Sequence, residues 1–89
     1  MSLDRQAIEE TIKSKIVEIA DALGSDARNL HVDEIIPSTG LIDSAALIEL
    51  LTWYEGFYKI HLAEEEITID NLGSIAAMAT FLLRRKGLL

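Results

Sequence analysis

The sequence predicts an all-α fold: a four-helix bundle of three main helices and a short third helix, with a long first loop. Three observations lead there. Apolar residues recur at three- and four-residue intervals in separate segments. Residues that cap helices stand at the ends of those segments. A chain of 89 residues with 49% hydrophobic content can fold around one small core, but leaves little room for a deep pocket with a preorganised catalytic constellation. Residues 1–89 are therefore read as a single domain.

From about Asp4 to Leu23, the residues Ile8, Ile12, Ile16, Ile19 and Leu23 form one stripe, while Glu9, Glu10, Lys13 and Glu18 fall elsewhere on the wheel. This is the first long helix. Asp4 or Ser2 can cap it, and Gly24 is placed to end it in a left-handed conformation. Ser25 to Ile42 mixes Gly, Pro, Asn, Asp and Ser without a clean period and reads as a long loop. Loops of this length in a small domain are held or used by something. Leu30, Val32, Ile35, Ile36 and Leu41 are candidate anchors, and Pro37 disfavours helix around Ile36.

The second helix is expected from Ser44 to about Tyr58, with Leu47, Leu50, Leu51, Tyr54 and Tyr58 on its core face and Gly56 a weak point near its end. Ala45, Ile48, Glu49, Thr52 and Glu55 occupy its other faces, and Trp53 and Phe57 lie off the core stripe. Ile60-His61-Leu62 reads as a short extended link with His61 outward. Ile67 to Leu72 reads as one brief helical turn packed by Ile67, Ile69 and Leu72. Asp70-Asn71-Leu72-Gly73 lacks the ligand spacing and terminal acid of a calcium loop. Ser74 can cap a final helix to Lys86, with Ile75, Met78, Ala79 and Leu82 inward and Arg84-Arg85-Lys86 at its negative dipole end.

The organising stretch runs from Gly40 to Leu51. Gly40 gives the backbone freedom to turn, Asp43 or Ser44 can cap the helix that follows, and Ser44 falls at an exposed helix start. Unsatisfied backbone N–H groups and the positive end of the helix dipole favour an anion there, so a phosphodiester on the Ser44 oxygen would be well received. The bland reading of Ser44 is an N-cap, which is the commonest reason for a serine before a helix.

Composition narrows the function classes. Without cysteine, the chain has no disulfide, thiolate metal site or cysteine nucleophile, and any thiol must come with a cofactor. His31 stands without a cysteine or a second nearby histidine, so no metal site is expected. The longest apolar run, Ile75 to Leu83, is broken by Thr80 and falls short of the roughly 20 residues of a membrane span, and the N-terminus has acids where a signal peptide would be basic. A cytoplasmic protein without membrane insertion is expected. The net charge is −7, and between Asp43 and Asp70 seven acids face Lys59 alone. Such a surface repels nucleic acid and steers towards basic partners.

The stretch Gly40, Asp43-Ser44, Ile48 and Glu49-Leu50 resembles the signature of the acyl carrier protein family, whose acyl, peptidyl and aminoacyl carriers share a Gly-containing loop, Asp-Ser, a hydrophobic residue and Glu-Leu. Tyr58-Lys59-Ile60-His61-Leu62, Glu65-Glu66-Ile67-Thr68 and Asn71-Leu72-Gly73-Ser74-Ile75 extend the likeness to the last third, in the manner of peptidyl and aminoacyl carriers. Ala45 and Ala46 depart from it, since the family usually places Leu or Met after the serine and often an acid next. The aromatic cluster Trp53, Tyr54, Phe57 and Tyr58 is a second departure.

The resemblance implies an acyl-carrier-like bundle and a phosphoprotein that catalyses nothing alone. A phosphopantetheinyl transferase would attach phosphopantetheine to Ser44, with Asp43 helping the transferase engage the serine, and the arm's thiol would hold cargo as a thioester. Ala45, Ile48, Glu49, Thr52 and Glu55 would be recognition residues for enzymes with basic docking patches: an acyl- or aminoacyl-loading ligase, transferases or synthases of fatty-acid or secondary-metabolite biosynthesis. The likeness to aminoacyl carriers favours a specialised carrier loaded by a dedicated adenylating ligase, and a monomer is expected. The alternative is an unmodified helical protein-interaction or regulatory module. A small hydrolase using Ser44 with His31 or His61 is disfavoured, because Ser44 lacks a nucleophile elbow and neither histidine is positioned by sequence.

Overall fold

A computed structural model describes residues 3–89, whose regular elements are all helical, with no strand among the described residues. Helix α1 spans Arg5–Ala22. Asp4 caps it, its carboxylate accepting from the Ala7 N–H at 2.9 Å; Ser2, the other candidate cap, lies outside the described residues. The helix stops as Gly24 turns left-handed (φ 80°), with the Ser25 N–H reaching back to the Ala20 carbonyl at 2.8 Å. Ile8, Ile12, Ile16 and Ile19 are buried, but Leu23, expected to complete their stripe, is 48% exposed. It sits at the C-cap, where the helical period has already ended, and Ala20 takes the inward place.

The connection to the next long helix is pinned at several points and is not loop throughout. Ala27 and Leu30 are buried, and the Lys13 ammonium donates to the Leu30 carbonyl at 2.8 Å. The Ala76 N–H donates to the Val32 carbonyl at 2.9 Å, and the Ile36 N–H to the Gly73 carbonyl at 2.7 Å. Ile36–Thr39 then forms a helical turn, α2, where loop was expected. Pro37 stands in its first turn, where a missing N–H leaves no intrahelical bond unmade and the fixed φ is already helical. Of the proposed anchors, Ile36 is fully buried, whereas Ile35 faces solvent.

Helix α3 spans Ser44–Tyr58 and buries Ala46, Leu50, Leu51, Tyr54 and Tyr58. Leu47 is only half-buried. The Tyr54 hydroxyl donates to the Met78 carbonyl at 2.8 Å, which satisfies the one polar atom this side chain brings inside. Trp53, half-buried, lies 5.1 Å from exposed Phe57 between ring centroids, with the Lys15 ammonium 6.0 Å from its ring. The helix ends at Lys59, whose φ of 57° is left-handed.

The link that follows leaves His61 in solvent and buries Leu62. A 3₁₀ turn at Glu64–Glu66 and a short helix, α4 (Ile69–Leu72), come next. The single turn expected over Ile67 to Leu72 is thus divided: Thr68 is extended and caps α4 through the Asn71 N–H at 3.1 Å. Only Leu72 is buried, and Ile67 and Ile69 point outward because they flank that break. Gly73 follows because a Cβ there would stand 2.4 Å from the Ile69 carbonyl oxygen. Helix α5 (Ile75–Arg85), capped by Ser74, buries Ile75, Met78, Ala79, Leu82 and Leu83. It packs on α1 and α4, and α1 packs also on α3.

Near its end, Arg85 closes the bundle. Its guanidinium donates to the His61 carbonyl at 2.7 Å and pairs with Glu66. This hydrogen bond holds the Glu66 carboxyl below the usual carboxylate range. Glu66 also accepts the Ala63 N–H at 2.8 Å, so one ion pair fixes the link against the last helix.

Candidate functional site

Ser44 is the first residue of α3 and is exposed. Its approach is set by two neighbours of opposite character. Gly40 turns the chain out of α2 with φ 73°, a conformation a β-carbon disfavours. Ile42 is buried and fastens the chain to the core two residues before the serine. Asp43, not Ser44, makes the cap: its carboxylate accepts from the Ala46 N–H at 2.8 Å, while the Leu47 N–H goes to the Asp43 carbonyl at 2.9 Å. The hydroxyl of Ser44 is therefore not spent on the cap. The N–H groups of Ser44 and Ala45 belong to the first helical turn, where no intrahelical acceptor exists.

Removing this cap has a measurable consequence. Asp43→Ala is expected to lower stability by about 1 kcal/mol, read as a lower urea midpoint. Asp43→Asn is expected to restore most of that loss, because an amide oxygen can accept the same bond.

The expected recognition residues form one outer strip. Ala45, Ile48, Glu49 and Thr52 are all exposed, and Ile48 keeps 66% of its surface in solvent. Their helical spacing places Ile48 one turn from Ser44 and Glu49 one turn from Ala45. Glu55 is placed differently. Its carboxylate accepts from the Leu62 N–H at 2.8 Å and lies 3.6 Å from the His61 ring, so it holds the link after α3 in place.

Clefts lie on both sides of Ser44. One, about 250 Å³, is lined by Pro37, Ile42, Asp43, Ser44 and Leu47. Pro37 and Leu47 also line an apolar cleft of about 130 Å³ that runs on past Leu51 to Ile67, Ile69 and Leu72. The other side opens onto a cleft of about 200 Å³ between the end of α1 and the start of α3. These walls were hidden in the sequence because they unite residues from four separate elements. The outward Ile67 and Ile69 were the available signal, since their spacing does not fit a single buried turn.

Among the described residues, no cluster of three or more histidine or acidic side chains could hold a metal ion, and no helix is long and apolar enough to cross a membrane. No protein-family model, curated protein or solved structure matches the chain.

Proposed function

We propose that this chain is an acyl or aminoacyl carrier that holds its cargo as a thioester on a phosphopantetheine arm attached to Ser44. The observation that carries the reading is an exposed serine at the start of a long helix, with the cap supplied by its neighbour Asp43. An attached phosphodiester would meet the free first-turn N–H groups and the positive helix end. The cleft beside Ser44 has apolar walls at Pro37, Ile42 and Leu47, and suits the neutral remainder of the arm.

In the loading step, the Ser44 oxygen attacks the phosphorus that carries pantetheine in coenzyme A. A new P–O bond forms, the pyrophosphate P–O bond breaks, adenosine 3′,5′-bisphosphate leaves, and the serine proton passes to a base of the transferase or to water. When bound, the arm supplies the thiol that the chain lacks. Ser44 provides attachment, Asp43 holds the helix start to which it belongs, and Ala45, Ile48, Glu49 and Thr52 offer the surface that partners read. The chain performs no catalysis alone. It is proposed to act as a cytoplasmic monomer, loaded by a dedicated adenylating ligase and read by transferases or synthases with basic docking patches.

The test is the intact mass of the folded chain before and after incubation with coenzyme A and a broad-specificity phosphopantetheinyl transferase. The wild type is expected to gain one phosphopantetheine and Ser44→Ala none, with little change in stability because Ser44 is exposed. A folded, initially unmodified wild type that gains nothing would overturn the carrier reading in favour of an unmodified interaction module.

A further inference from the structure

The segment His61 to Ile67 is tied to the bundle differently from the connection before α3. That connection is bonded backbone to backbone, at Val32 and at Ile36. The later segment, among the described residues, meets other elements only through the side chains of Glu55, Asn71 and Arg85. Leu62 is its one buried residue. At both ends the backbone leaves the helical region: Lys59 is left-handed with φ 57°, and Thr68 is extended with φ −130°.

Arg85 reaches this segment at two points, the His61 carbonyl at 2.7 Å and the Glu66 carboxylate. Its guanidinium lies 5.1 Å from the centre of the Phe81 ring, a cation–π contact that holds it in place. Glu66 passes the tie on, since its carboxylate accepts the Ala63 N–H and its carbonyl the Asn71 amide at 3.0 Å. The paired side chains keep 31% and 30% of their surface in solvent, so water can take over from either partner. From this arrangement we infer that His61–Ile67 is a strap that opens as a unit while the helices stay packed, with Arg85 as its latch. Helix α4 stays behind, because Leu72 is buried and α4 packs on α5. Ile67 leaves with the strap, and it is one wall of the apolar cleft of about 130 Å³. Release therefore uncovers Leu62 and widens that cleft. The device belongs to the fold and stands whether or not Ser44 carries an arm.

The test is native-state amide exchange in wild type, Arg85→Ala and Ile12→Val. The Leu62 N–H, bonded to the Glu55 carboxylate, reports the strap, and the amides of Ile12 and Ile16 report the bundle. In the wild type, Leu62 is expected to exchange at least about 100-fold faster than the α1 pair, relative to intrinsic rates. Arg85→Ala is expected to accelerate Leu62 about ten-fold, the scale of losing hydrogen bonds from a charged group. Ile12→Val weakens the bundle alone, because Ile12 is buried within α1. It is expected to accelerate the α1 amides about five-fold and to leave Leu62 within about two-fold, since the closed and strap-open states lose the same packing. A Leu62 amide as slow as those of α1, or one that accelerates in step with them in Ile12→Val, would overturn the strap. A fast Leu62 amide indifferent to Arg85→Ala would overturn the assignment of Arg85 as latch.

Discussion

Truncating Tyr54 to alanine is expected to remove about 3–5 kcal/mol from the free energy of unfolding, a large part of the roughly 5–15 kcal/mol typical of a folded domain. The ring is fully buried among the packed faces of the long helices, and alanine would leave a cavity and the hydroxyl's contact with α5 unmade. Urea unfolding followed by circular dichroism would read the loss as a lower midpoint. Tyr54→Phe separates the two contributions: it keeps the ring, deletes the bond to the Met78 carbonyl, and is expected to cost about 1 kcal/mol at neutral pH. At alkaline pH the order reverses. Burial raises the Tyr54 pKa above its ordinary value of 10.0, so the unfolded chain ionises first and the folded state loses stability as pH climbs past that value. Tyr54→Phe removes this contribution, leaving that of Tyr58, whose pKa burial also raises. Its alkaline unfolding midpoint is therefore expected at higher pH than that of the wild type.

Ile36→Ala is expected to cost about 2–5 kcal/mol, because the side chain is fully buried and fastens the connection between the two long helices to the core. The damage should be local in character. The Ile36 N–H is bonded to the Gly73 carbonyl and the Ala76 N–H to the Val32 carbonyl, so amide exchange at Ile36 and Ala76 is expected to accelerate beyond that of the α1 core. Equal acceleration throughout α1 would show instead that the whole bundle opens as one unit.

The contrast between α1 and the connection explains what could be read from the chain and what could not. Ile8, Ile12, Ile16 and Ile19 repeat on one face, Asp4 and Gly24 mark the limits, and each signal is local. The start of α3 is equally plain, since Asp43 caps the helix at the expected place. Exposed Ala45, Ile48 and Glu49 also follow from helical geometry alone. The turn at Ile36–Thr39 was hidden because Pro37 both breaks and begins helices, and only the tertiary bond to Gly73 decides between them. Ile67 and Ile69 depart from the expected packing for a related reason: hydrophobic character does not by itself decide burial, and the extended Thr68 divides the segment. Glu55 looked free for a partner, but a backbone N–H from beyond the end of its own helix takes its carboxylate.

The bonds from Val32 to Ala76 and from Ile36 to Gly73 also bear on the order of folding. Both join residues far apart in sequence, whereas the turns of α1 and α3 close between near neighbours. Local turns form within about a microsecond, while distant closures must first overcome chain entropy. The long helices can therefore collapse before the segment leading to Ser44 finds its final seat. A nascent chain would carry a formed α3 with an unsettled approach to its serine until the last helix is available to receive it. Completion of α5 is then the event that seats the approach to Ser44.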